Sequence, residues 1–343
     1  MFGPAPLPRS LEASVRDAAH ARVDVRLSAV SDLGRHVADD RSGRASLALR
    51  EALASDASPA VRAAAALAMA DTEQRSFVPA LLRGAEDPER EVREMSLLAL
   101  GELGSAEHPG VTGLVRAALA DDAASHRFQA VIAAHRLNLP EVDSVLRRAT
   151  EDADPKIRHI SVRLMEERAT SEDGRVAPSS EVMATAKALL RDPALAVRLA
   201  AAILLARSGD RAGEGTLAEA VEDPSTVDVE DEQAAVVLSG ELRVVAARRG
   251  LERRAFRGIL GRPRFSWEAR IALARLGDPR ARRAITRGLR AWSRDARTLA
   301  VVAAGEALLT ESIPAIEAMA GDPSRAEPEA VERSLRLLRA AGA

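Results

Sequence analysis

Asp87-Pro-Glu-Arg-Glu-Val-Arg93 is the stretch that decides how this chain folds, because its pattern returns at a regular distance. Asp56-Ala-Ser-Pro-Ala-Val-Arg62, Asp152-Ala-Asp-Pro-Lys-Ile-Arg158 and Asp192-Pro-Ala-Leu-Ala-Val-Arg198 repeat it. In each copy an Asp stands six residues before an Arg, the Arg follows Val or Ile, and a Pro falls between. Asp121 and Arg127 keep the six-residue step without the Pro, and Val25-Arg26 is an earlier half-copy. The arginines at 62, 93, 127, 158 and 198 are 31, 34, 31 and 40 residues apart. A period of that size is the mark of one supersecondary unit used again and again.

The flanking residues say which unit. An apolar helical run precedes each Asp, as in Ala186-Lys-Ala-Leu-Leu190, and an Ala/Leu-rich run follows each Arg, as in Leu199-Ala-Ala-Ala-Ile-Leu-Leu205. The second run often closes on Gly, as at Gly104, Gly209 and Gly277, the residue favoured just past a helix end. Asp and Pro between the runs read as a tight turn, with Asp capping the second helix and Pro in its first turn. Two helices of about 12 residues cannot bury their apolar faces alone, whereas stacked pairs can.

Composition agrees. The chain has 343 residues, of which 47% are apolar and only 2% aromatic, with no Tyr. Ala, Leu and Val dominate, a set that favours helices in close contact over a sheet, which wants aromatic and β-branched residues. The absence of Cys excludes disulfides and thiolate chemistry. The start, MFGPAPLPRS, lacks the basic and apolar regions of a secretory signal, and no stretch of about 18 apolar residues reads as a membrane span. A cytoplasmic location is therefore expected. Lys156 and Lys187 are the only lysines; the arginine excess reads as a GC-rich, bacterial genome.

The Asp-Pro…Val-Arg…Ala-Leu-Gly phrase resembles HEAT repeats, of the short kind named after phycobilisome lyases. The resemblance covers most of the chain. It implies an all-α, right-handed α-α superhelix of roughly nine helix pairs. It further implies that Asp56, Arg62, Asp87, Arg93, Asp121, Arg127, Asp152, Arg158, Asp192 and Arg198 form a structural ladder of hydrogen bonds between adjacent repeats. The organisation expected is a flexible segment over 1–10, regular acidic repeats over 11–222, and divergent repeats over 223–343.

The chain departs from the repeat pattern in three places. Residues 170–180 read as a loop insertion. Residues 223–232, Asp-Pro-Ser-Thr-Val-Asp-Val-Glu-Asp-Glu, read as a solvated acidic loop. Between Arg243 and Arg297, seventeen arginines face four acids, a net charge of +13 in a chain of −2. Four of the seven aromatics, including Trp267 and Trp292, fall there too, and Arg262 stands where the repeat phrase would have its Asp. Read as one helix, residues 280–294 put Ala284, Ile285, Gly288, Leu289 and Trp292 on a core face. Arg280, Arg283, Arg287, Arg290 and Arg294 then form a stripe roughly opposite. Like charges along one stripe repel each other, and an anionic partner relieves that.

The expected function is a non-enzymatic scaffold. Its partner would be a protein with an acidic surface, held on the concave face and the basic C-terminal third. The candidate contacts are Arg262, Arg264, Trp267, Arg280, Arg283, Arg287, Arg290 and Arg294. The resemblance implies partners such as a small GTPase or its regulator. A nucleic acid is the runner-up, because basic surfaces with aromatics neutralise phosphates and stack bases; the acidic first part of the chain opposes it. A bilin-lyase-like activity is a further alternative, implied by the repeat alone. No Gly-x-x-x-x-Gly-Lys-Ser/Thr loop, Gly-x-Ser-x-Gly elbow or His-Glu-x-x-His occurs. The iron hydroxylases of the HEAT class carry His-Glu ligand pairs, whereas Glu107-His108 is the reverse order. No cofactor, metal or catalytic residue is expected.

Overall fold

The computed structural model describes residues 9–256 and 264–342. The chain divides into two compact units, 1–164 and 165–343. Both are built from antiparallel helix pairs. In chain order, the first unit holds α1 (Leu11–Asp17) and α2 (Val23–His36), α3 (Arg44–Ser55) and α4 (Pro59–Ala70), and α5 (Val78–Gly84) and α6 (Arg90–Leu103). Next come α7 (Pro109–Ala118) and α8 (Ala124–Arg136), then α9 (Val142–Ala149) and α10 (Pro155–Ala169), in which the boundary falls. The second unit holds α11 (Ser180–Leu189) and α12 (Leu195–Arg207), α13 (Glu214–Glu222) and α14 (Val229–Glu241), and α15 (Arg248–Phe256) and α16 (Ser266–Arg275). It ends with α17 (Pro279–Gly288) and α18 (Arg294–Glu306), and α19 (Ile313–Glu317) and α20 (Pro328–Gly342). The described residues thus make ten pairs, where roughly nine were expected, in the all-α class read from the sequence.

The two helices of a pair differ for a packing reason. The second helices pack on one another as well as on their own first helices: α2, α4, α6 and α8 in one unit, and α12, α14, α16, α18 and α20 in the other. A helix packed on several sides must be apolar nearly all round. In α12, every residue from Leu199 to Ala206 is buried. First helices keep one wet face; in α17 only Ala281 and Ile285 are fully buried. Each unit has its own core, centred on residues such as Leu33, Met69, Phe77 and Leu100 in the first and Leu199, Ile203, Leu251 and Leu273 in the second. At Gly240 a Cβ would lie 2.5 Å from Ala272 Cα, so only Gly lets α14 approach α16 so closely.

Second helices end in a shared turn. The residue one past the C-cap is left-handed at Asn138, Gly209, Arg243, Gly277 and Leu308, with φ of 48°, 82°, 54°, 78° and 56°. The next amide then donates back five residues, for example Val244 to Ser239 at 2.8 Å and Leu309 to Ala304 at 3.0 Å. The expected Gly closes two of these ends, while Arg243 and Leu308 hold the same strained geometry without it.

The turn between the helices of a pair differs from the expected cap. Asp56, Asp87, Asp121 and Asp192 sit two residues before the N-cap, not on it. Each Asp Oδ1 accepts from the backbone N–H two residues on, at 2.8–2.9 Å. This is an Asx turn, which leaves the second carboxylate oxygen free for another donor.

Arg9 and Ser10, expected to lie in a flexible segment, are held. Arg9 donates to Asp17 and Asp32 at 3.1 and 2.9 Å, and Ser10 caps α1. The stretch 170–180 is closed by a single antiparallel bridge between Thr170 and Val176. No described helix is long and apolar enough to cross a membrane.

Candidate functional site

The repeated arginine is the fourth residue of each second helix that carries it, and it works in two directions. Backward, Nη1 donates to the carbonyls of its own turn. Arg62 reaches Asp56 O at 2.9 Å, Arg93 reaches Asp87 O at 2.9 Å, Arg158 reaches Asp152 O at 2.8 Å and Arg198 reaches Asp192 O at 2.8 Å. Forward, Nε and Nη2 clasp the Asp of the next turn. Arg26 holds Asp56 at 2.7 and 2.9 Å, and Arg62 holds Asp87 at 2.8 Å twice. Arg127 holds Asp152 at 2.8 Å twice. Such two-pronged pairs are the strong, directional kind. Their side chains are only 8–19% exposed.

The aspartates respond. Asp87 and Asp152 are held below the ordinary carboxylate range, first by the arginine hydrogen bonds, with burial opposing. At Asp56 burial is the largest influence and raises the pKa, yet Arg26 and the turn amide together bring it below the usual range. Asp121 differs. Its Oδ2 lies 2.9 Å from His126 Nδ1, and this contact is the first cause of its lowered pKa. His126 is buried, and its Nε2 has no partner among the described residues.

In the second unit the ladder changes character. Arg198 turns to Glu219 at 2.6 Å. The fourth residue of α14 is Glu232, which is buried and accepts from buried Arg254 of α15 at 2.8 and 3.1 Å. The polarity of the rung is reversed. The sequence reading placed Glu232 in a solvated loop; in fact residues 229–232 are the first turn of α14, where acids suit the helix N-terminus. In α16 the fourth residue is Ala269, fully buried. In α18 it is Arg297, whose donors all go to carbonyls: Ala291 and Trp292 at 2.8 Å, Arg325 at 2.6 Å and Ser324 at 3.0 Å. Counting four residues into each second helix is the signal by which Glu232 and Arg297 could have been found.

Most of the surplus arginines are neutralised within this unit. Arg253 pairs with Glu222 at 2.8 Å, Arg282 with Glu311 at 2.9 Å, and Arg248 lies 3.4 Å from Asp278. Arg280 reaches Glu252 at 2.6 Å and Asp278 at 3.0 Å, and stacks 5.1 Å over Phe256. Asp278 is pulled below its usual range; burial is its largest influence and opposes this, while Arg280 and two amides bring it down. Arg294 pairs with Glu327 and donates to Pro323 O at 2.7 Å.

The expected stripe over 280–294 therefore does not form as one helix. Helix α17 stops at Gly288, and Arg294 opens α18. Of the proposed contacts, Arg283, Arg287 and Arg290 remain together. They are exposed, stand at i, i+4 and i+7, and their side chains make no hydrogen bond or ion pair among the described residues. Arg264 is exposed elsewhere, and Arg262 lies outside the described residues. The two tryptophans exchange the places expected of them. Trp267 packs on the second unit's core, with Arg270 5.1 Å over its ring. Trp292, expected in the core, lies in the turn after α17 and is 98% exposed. The reason is that the helix carrying the apolar face ends four residues too soon to include it.

A family model described as HEAT repeats matches residues 14–100 and 46–122, all in the first unit. No curated protein matches the chain. Among solved structures, an X-ray structure of YibA from Escherichia coli aligns with a TM-score of 0.52 at 15% identity, over 78% of this chain and 93% of that one. The complex of CpcE and CpcF of phycocyanin lyase from a Nostoc species gives 0.44 at 18%, over 74% and 95%. Importin beta gives 0.42 at 15%, over 96% and 51%. At such identities the likeness to YibA speaks for the fold alone.

Proposed function

We propose that this chain, a member of the HEAT-repeat family, is a non-enzymatic scaffold that holds a protein with an acidic surface through the arginine-rich segment 243–297 of its second unit. One observation carries this reading. The fold supplies an acid or a carbonyl to most described arginines of 243–297 and leaves Arg283 and Arg287 on α17, with Arg290 in the turn that follows, exposed and without a side-chain partner among the described residues. Helix ends favour cations in their last turn, which accounts for one such residue and not for three in line. Like charges at one-turn spacing repel, so an acidic partner relieves the ridge.

A nucleic acid fits less well. Three phosphate contacts give a shallow salt dependence and weak binding, and the arginines that would extend a track are engaged with acids of the same unit.

The test is capture of partners by the full chain and by the Arg283→Gln/Arg287→Gln/Arg290→Gln variant. The expected result is a set of acidic proteins held by the wild type at about 50 mM salt and released by the variant. An unchanged set overturns the reading. So does salt-sensitive binding of a duplex DNA or single-stranded RNA probe that disappears in the variant while protein capture does not.

A further inference from the structure

We infer that the partner presents a linear acidic segment with an aromatic or aliphatic residue beside its carboxylates, and that Trp292 takes that apolar side chain while Arg283, Arg287 and Arg290 take the acids. This rests on the acidic-partner reading and narrows it.

Trp292 is the independent observation. At 98% exposed it stands far beyond the other exposed apolar residues, the next being Val245 at 69% and Leu47 at 54%. Its position is not that of a loose end. Arg297 donates to the carbonyls of both Ala291 and Trp292 at 2.8 Å, while its other nitrogens are anchored on Ser324 and Arg325. The backbone of the turn is fixed as in the other repeats, where the same arginine bonds are made at Pro88, Asp122 and Pro193, and here that exposed position carries an indole. Burying so large a ring is strongly favourable, so an indole left 98% exposed at this turn offers that gain to a partner. Tryptophan and arginine are also the side chains that most often dominate binding surfaces.

The spacing sets the shape of the ligand. Arg283 and Arg287 are about 6 Å apart along the helix axis. Arg290 follows in the 3-residue turn that its amide closes on Arg287 O at 3.0 Å. Trp292 comes two residues later. The cationic and apolar parts therefore succeed one another along the chain, from α17 into its closing turn, within a short span suited to a segment. Guanidinium forks match carboxylates two-pronged, and an indole face accepts aromatic or aliphatic groups. A membrane surface would ask for several aromatic residues at one level, and Trp292 is the one aromatic in this stretch.

The probe is a fluorescein-labelled 14-residue peptide with three Glu at spacings of four and three and a Phe two residues beyond, titrated with the full chain by anisotropy. The Glu-to-Gln peptide is expected to bind at least tenfold weaker, and the Phe-to-Ser peptide at least fivefold weaker. Trp292→Ala should weaken the parent peptide by about the Phe-to-Ser factor and add little to it, the signature of two groups in direct contact. Because Trp292 has almost no packing to lose, this variant keeps its circular dichroism. Equal binding of the Phe-to-Ser peptide, or of the parent peptide by Trp292→Ala, overturns the inference. So does a Trp292-dependent emission shift with phosphatidylserine vesicles and none with the peptide. If the triple arginine variant loses its captured proteins and Trp292→Ala keeps them, the scaffold reading stands and this one fails. If neither variant loses anything, both fail.

Discussion

The two units use the same helix pair and spend their arginines differently. In the first unit Arg26, Arg62 and Arg127 each join their own turn to the Asp of the next, so charge is consumed between neighbours. In the second, Arg198 reaches Glu219, and from α14 to α18 the equivalent place holds Glu232, Ala269 and Arg297, whose joints are a reversed ion pair, an apolar contact and a set of carbonyl bonds. The arginines have moved from the ladder onto the first helices and the turns after them, where some find acids and Arg283, Arg287 and Arg290 do not. A repeat can therefore be kept by its apolar faces while its polar joints are rebuilt, and the rebuilt part is where side chains become available to a partner.

The comparison breaks most sharply at the joints. Asp87→Ala, which strands Arg62, and Arg254→Met, which strands Glu232, should each cost about 3 kcal/mol, since both leave a mostly buried charge without its partner. Urea unfolding checks this; a loss below about 1 kcal/mol in either would mean that the joint contributes little. Acid separates the two kinds of joint. Asp87 and Asp152 have depressed native pKa values, so their stabilisation is complete above the unfolded value of about 4 and is lost as pH falls through the lower native value. The first unit should weaken below pH ~4, and Asp87→Asn should flatten that loss. Arg297 hydrogen-bonds only carbonyls, and its charge is the smallest of the influences that lower the Asp322 pKa, so Arg297→Met should shift stability by nearly the same amount at pH 7 and pH 4.

Smaller effects sharpen the picture of close packing. Gly240→Ala should cost about 1–3 kcal/mol, because the new methyl meets the backbone of α16. Gly113→Ala in α7 of the first unit, with open space around it, should instead stabilise by about 0.5–1 kcal/mol. At the helix ends, Leu308→Gly should stabilise by about 0.5–1 kcal/mol by relieving its left-handed backbone, if its partly exposed side chain contributes little. Last, Arg283→Gln/Arg287→Gln/Arg290→Gln should change stability by less than about 0.5 kcal/mol while abolishing partner capture. A large loss of stability would show the ridge to be part of the fold instead.

Much of this was legible in the residues alone. The six-residue Asp–Arg step and its return near every 31 to 40 residues announced paired helices, because capping, turn and apolar period are local properties written in consecutive side chains. The excess of arginine in 243–297 was equally plain. Which arginines are spoken for was not, since Glu222, Glu232, Glu311 and Glu327 come from other helices and turns brought near by stacking. Trp292 shows the same limit from the other side. A helical period carried past its true end put it in the core, whereas α17 stops at Gly288 and Arg297 pins the turn that follows. Sequence by itself determined the repeat and the charge; only tertiary contacts decided which charges and which ring are left facing water, because burial and pairing depend on neighbours that lie some thirty residues away.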